Sequence, residues 1–172
     1  MEVILALGAL ILVGLGWNWV KGKAREKANQ NIFSRTAHRQ GQELTASILR
    51  AEVSAGLESV QNSIISQVVT VDGPPLVIAD IYLESTAPGR IVYVCGTKLN
   101  TAFRAVVTLH ESGDSGGRVA VEQVFSHWQT LDGVVAPVST MKRLRTDLES
   151  GLRAVDPEVA VRVLGRSSLG AP

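Results

Sequence analysis

The first twenty positions, M-E-V-I-L-A-L-G-A-L-I-L-V-G-L-G-W-N-W-V, are apolar almost without interruption, with Glu2 and Asn18 the only strongly polar side chains. As a helix rising about 1.5 Å per residue, such a run spans about 30 Å, the hydrocarbon thickness of a bilayer, and predicts a transmembrane helix over residues 1–20. Trp17 and Trp19 stand where an interfacial aromatic belt belongs, and Lys21, Lys23, Arg25 and Lys27 follow at once. Basic residues gather on the cytoplasmic side of a span, so the pattern places the N-terminus outside and the domain in the cytoplasm, at the cell inner membrane. A cleaved signal peptide carries basic residues before its apolar run and a small-residue cleavage site after it. Here Glu2 precedes the run and tryptophans close it, which favours an uncleaved anchor.

Beyond the anchor the period changes. Residues 21–43 are polar apart from isolated positions such as Ile32 and Phe33, and read as a basic, partly helical stalk. From 44 to 68, Leu49, Val53, Leu57, Val60 and Ile64 recur at spacings of three and four, which predicts one amphipathic helix packed on the domain's sheet. The breaker D-G-P-P at 72–75 ends it, and four extended segments follow, over 76–84, 90–95, 101–109 and 118–128. In the last, Val119, Val121 and Phe125 share one phase, with Gln123 and His127 in the same phase. Short turn-rich links between period-two runs predict an antiparallel meander, since parallel pairing would need crossover helices. Met141, Leu144, Leu148, Leu152 and Val155 mark a second helix, capped by Ser139 or Thr140 and ended by Pro157, and residues 158–164 are a candidate fifth strand. The expected architecture is α+β: a transmembrane helix at 1–20, a helical stalk at 21–43, a two-layer domain at 44–164 and a flexible tail at 165–172. In that domain two helices cover a four- or five-stranded, mainly antiparallel sheet.

Composition narrows the partners. The 172 residues carry a formal net charge of +1, so no global field recruits nucleic acid. The single cysteine, Cys95, excludes an internal disulfide and reads as a buried small hydrophobe inside R-I-V-Y-V-C-G. Abundant alanine, valine and glycine, with arginine exceeding lysine, suggest a GC-rich bacterial genome.

One string invites a catalytic reading. G-D-S-G-G at 113–117 resembles the nucleophile motif of trypsin-like serine proteases, and R-T-A-H-R at 35–39 resembles their histidine motif, so that His38, Asp72 or Asp80, and Ser115 would follow that family's order. The family, however, folds as two six-stranded barrels, which this chain is too short to build, and His38 lies in a polar segment after the anchor. The motif is also normally followed by proline, where this chain has Arg118. Between two alternating strands, E-S-G-D-S-G-G-R reads instead as a hairpin loop whose glycines accept positive φ and whose Asp and Ser cap a turn. His38, His110 and His127 lack the spacing of zinc ligands, Asp114 and Glu111 are too few for a cation, and no metal or cofactor is expected. His127 beside Trp128, and Asp80 interrupting an apolar strand, are the positions where a pocket would show first. On the second helix Lys142, Arg145 and Arg153 share one flank of the stripe, a candidate contact for an acidic partner or anionic lipid, while Arg143 can pair with Asp147 and Arg145 with Glu149.

These features together favour a single-pass, membrane-anchored, non-enzymatic subunit of a bacterial membrane complex. Its α+β domain would assemble with other subunits or with itself. Two alternatives remain open on the sequence: a pilin-like or secretion-system component with its domain outside, and an anchored enzyme or small-ligand-binding domain.

Overall fold

The computed structural model describes residues 36–112, 117–131 and 134–165. The expected span at 1–20, its flanking Trp17, Trp19, Lys21, Lys23, Arg25 and Lys27, the Ser115 of the protease-like string, and the tail beyond Gly165 lie outside the described residues. Among the described residues no helix is long and apolar enough to cross a membrane.

A compact unit begins at His38 and so takes in the end of the expected stalk. Residues 36–45 are helical (α1). There follow β1 (Ser47–Val53), α2 (Leu57–Gln67), β2 (Asp80–Ala87), β3 (Arg90–Gly96), β4 (Thr101–Glu111) and β5 (Val119–Leu131). The short β6 (Val134–Ala136), α3 (Val138–Val155) and β7 (Arg162–Gly165) complete the described chain. The main sheet runs β2-β3-β4-β5-β1-β7, antiparallel at every step, and β6 folds back on the end of β5. The meander β2 to β5 is the one expected from its short links. Six strands rather than four or five form the main path, because a strand from before the meander and one from after α3 add to its β5 side.

The added strand β1 corrects the sequence expectation. Residues 47–53 are not the first turns of an amphipathic helix but a strand paired with β5 and β7, and the helix that follows it is confined to Leu57–Gln67. The pattern misleads because Leu49 and Val53 are four apart, a spacing that satisfies a helical face and a period of two equally. As a strand, Leu49, Ala51 and Val53 all enter the core. Pairing on both sides of β1 decided between the two. At α3 the cap also differs: Pro137 holds the N-cap position, not Ser139 or Thr140, and the Met141 N–H donates to the Pro137 carbonyl at 3.1 Å.

One face of the sheet carries the core. Ile91, Tyr93, Cys95, Phe103, Ala105, Val107, Val121 and Phe125 meet Val60 and Ile64 of α2 and Met141, Leu144, Leu148 and Leu152 of α3. Phe103 and Phe125 cross edge to face, 5.4 Å between ring centroids. A bulge opposite Arg104 and Ala105 shifts the phase of β5, so Trp128 pairs with Phe103 and packs on the core, while His127 turns out opposite Arg104. This corrects the expectation that His127 stays in phase with Phe125. On the opposite face, Arg104 reaches Glu84 at 2.6 Å and Arg50 reaches Glu122 at 2.7 Å. Such exposed pairs contribute at most about 1 kcal/mol each, and they flank an apolar row of Val92, Val106 and Val124 on this face.

The helices approach each other closely at Gly151. A Cβ there would lie 3.0 Å from Ile64 Cα and 3.3 Å from the Ser63 carbonyl oxygen, and the Ser63 hydroxyl donates to the Gly151 carbonyl at 2.7 Å. Alanine is favoured over glycine by about 1 kcal/mol in a helix interior. Gly151→Ala is nonetheless expected to destabilise the domain by about 1–3 kcal/mol, because backbone atoms of α2 must move. A urea midpoint at or above that of the wild type would show that the helices separate at no cost.

Candidate functional site

The conspicuous side chain of α3 is Arg145, which is only 8% exposed. Its Nε donates to Gln123 Oε1, Nη1 to Ser47 Oγ, and Nη2 to the carbonyl oxygens of Leu44 and Ser47, each at 3.0 Å. The guanidinium also lies over the Phe125 ring, 5.3 Å from its centroid. Burial pushes the guanidinium down to about 10, far enough above neutrality that the group stays charged. No carboxylate is within ion-pair distance of it among the described residues. This explains Gln123, a polar residue in the apolar phase of β5, which is fully buried and gives its side-chain oxygen to Arg145.

The helix therefore does not present Lys142, Arg145 and Arg153 as one basic flank. Arg145 points inward, Lys142 donates to Gln40 Oε1 of α1 at 2.8 Å, and Arg153 lies 3.8 Å from Glu149. Two further expected pairs are replaced. Arg143 binds Asp80 at the start of β2 instead of Asp147, and Glu149 pairs with Arg153 instead of Arg145. The Ile81 N–H and the Arg143 guanidinium together hold the Asp80 carboxyl below its ordinary range.

Arg145 and Lys142 also line a groove of about 580 Å³ beside β7, whose other lining residues include Glu43, Leu44 and Val163. Since β7 is the last strand of the sheet and pairs with β1, Val163 lies on the helix-facing side next to the core residue Leu49, yet it is 56% exposed. Among the described residues the helix layer thus stops short of the sheet's end, leaving an apolar floor with a buried positive charge beneath one wall. A second depression of about 560 Å³ mixes Arg50, Arg118 and Arg162 with Glu52, Glu122, Asp156 and Glu158, so both signs of charge line it.

The remaining candidates stand apart. His38 is on α1, His110 opposes Ala120 near the far end of β4, and His127 faces solvent at the bulge. The 112–118 segment links β4 and β5 in antiparallel pairing, with Leu109 opposite Val121, a Ser112 N–H bond to the Arg118 carbonyl at 2.9 Å, and Gly117 at φ +81°. Burial pushes the Cys95 thiol up to about 11 and the Tyr93 hydroxyl also upward, so neither is ionised near neutral pH. Among the described residues no group of three His, Cys, Asp or Glu side chains is placed to hold a metal. Comparison with protein-family models and with curated proteins finds no match for the chain.

Two substitutions test this electrostatic frame. Arg145→Met removes the donor from four interior oxygens, of which the Leu44 carbonyl keeps the Ser47 hydroxyl at 3.3 Å. It is expected to cost about 3–5 kcal/mol, with Arg145→Lys recovering only part because one ammonium cannot span the fork. Adding Gln123→Leu to Arg145→Met should return some of the loss, since it removes one stranded acceptor. If urea denaturation shows Arg145→Met within about 1 kcal/mol of wild type, the guanidinium is not an organising element. Asp80→Asn should cost at most about 1 kcal/mol at pH 7, the pair being exposed. Because the folded pKa is depressed, that contribution is present above the ordinary aspartate range and lost as pH falls through the folded value. The difference between wild type and Asp80→Asn should therefore vanish in acid, and one that persists unchanged would assign it to something other than charge.

Proposed function

We propose that this chain is a single-pass, membrane-anchored, non-enzymatic subunit of a bacterial inner-membrane complex, with its N-terminus outside and its α+β domain in the cytoplasm. The apolar run to Val20, the two tryptophans and the four basic residues after it support the anchor and its orientation. The assembly role rests on one observation, the terminal strand β7 beside its groove. A partner strand laid along β7 would extend the sheet, and its alternate side chains would fall into the groove over Leu44 and Val163. The partner is another subunit of the complex or a second copy of this chain, and the strand-addition mode accommodates either. The chemistry available at the other candidate positions does not compete with this reading, because the histidines are scattered and the buried thiol and phenol are neutral.

Val163→Lys tests it. Lysine on an edge strand opposes strand addition, and at a half-exposed position it should change stability by no more than about 0.5 kcal/mol. The wild type in native membranes should migrate as a complex in a native gel, and Val163→Lys as the free chain with an unchanged thermal midpoint. A photo-crosslinker at Val163 should give a discrete adduct and one at Glu58 none. A wild-type chain that is strictly monomeric and yields no adduct at Val163 would sink the assembly reading.

A further inference from the structure

Strands β1, β2 and β4 run in the same direction, so their first residues, Ser47, Asp80 and Thr101, lie at one end of the sheet. At that end the chain enters through α1, and two loops stand beside each other there. The first, residues 72–79, contains Leu76, Val77 and Ile78, which are 71%, 85% and 80% exposed. The second is the β3–β4 turn, whose tip is Leu99, 93% exposed. These loops are held rather than frayed. Val71 bridges Tyr82, its N–H bonded to the Ile81 carbonyl at 2.8 Å, and the Lys98 N–H donates to the Pro75 carbonyl at 2.9 Å. Gly73 at φ +77° lets the chain turn, and Pro74 and Pro75 after it restrict the backbone. The fold thus fixes four large aliphatic side chains in water, against the ordinary tendency to bury them.

We infer that this end of the domain inserts its Leu76–Ile78 loop and Leu99 into the bilayer that carries the anchor, as a second membrane contact. The inference rests on the anchored reading above. Three observations select lipid as the occupant. Leu76, Val77 and Ile78 are each more than two-thirds exposed, so one surrounding phase must cover three successive side chains at once, which a fluid acyl phase does by closing around them. The large exposed side chains of the two loops are all aliphatic, while protein hot spots are dominated by Trp, Tyr and Arg and are poor in Leu and Val; Leu, Ile and Val are favourable in the hydrocarbon. Connectivity agrees, because His38 follows Val20 by 18 residues and leads into this same end. Lys98, next to Leu99, then stands at headgroup level, where an ammonium suits anionic lipid.

The test uses the full chain in vesicles of phosphatidylcholine and phosphatidylglycerol, with Cys95→Ala as background. An environment-sensitive fluorophore is attached at Val77→Cys and, as a control at the opposite end, at Ser54→Cys. The label at 77 should brighten several-fold, shift to the blue and be quenched by lipids spin-labelled on the acyl chain, and the label at 54 should do none of these. Carbonate extraction, run in parallel, reports the anchor separately. A label at 77 that stays aqueous overturns the inference whether or not the chain resists extraction. A blue shift at 77 that spin-labelled lipids do not quench also overturns it, in favour of a protein partner or a second copy. A chain stripped by carbonate that still places residue 77 among acyl chains overturns the anchored reading and upholds the loop contact.

Discussion

A buried guanidinium that has no carboxylate within ion-pair distance among the described residues organises this domain. Arg145 draws one oxygen from β5, two from the first residue of β1 and one from the last turns of α1, and stacks over the Phe125 ring. The α1–β1 junction and β5 are thereby fixed to a single planar group on α3. Hydrogen bonds to a charged donor are each stronger than neutral ones, and a charge left dry is costly, so the site tolerates one arrangement only. The first strand enters the sheet between β5 and β7 because its entry residue, Ser47, is held there by both its hydroxyl and its carbonyl.

That constraint gives the two faces of the sheet different characters. On the helix side the apolar stripe of α3 and the shorter one of α2 meet around Gly151 and seal the core from β2 to β1. Beyond β1 the layer runs out, and the groove along β7 is the result, its wall supported by the same arginine. On the other side cross-strand ion pairs lie beside the valines of β3, β4 and β5 and provide little energy. Under the proposed assembly reading, the sheet's terminal strand is accordingly the place where a partner can add.

Much of the meander was legible in the sequence. Strands β3, β4 and β5 and helix α3 were each marked by a period and by turn residues, and those signals are local. The errors have local causes too. Leu49 and Val53 fit two periods at once, and nothing within seven residues of β1 reveals that β5 and β7 will flank it. The phase of His127 was misassigned because the bulge at Ser126 depends on register with β4, which no single strand encodes. Leu76 and Ile78 continue the alternation of β2 on paper, yet the strand starts at Asp80, where Arg143 binds the carboxylate.

The candidate site shows the same division. Sequence alone put Arg145 on a basic flank with Lys142 and Arg153, since helical geometry does set which side chains share a face. It could not say that the face turns inward, because that depends on Gln123, Ser47 and Leu44, which are 22, 98 and 101 residues away. The polar Gln123 in an apolar phase was the one available clue that the core holds a charge. What the residues determined by themselves was the strongly periodic segments, the apolar run at the start, and the turn between β4 and β5, because propensity and spacing act within a few positions. What only the tertiary structure decided was the insertion of β1, the burial of Arg145 and the groove beside β7, because each depends on partners that the chain brings together only by folding.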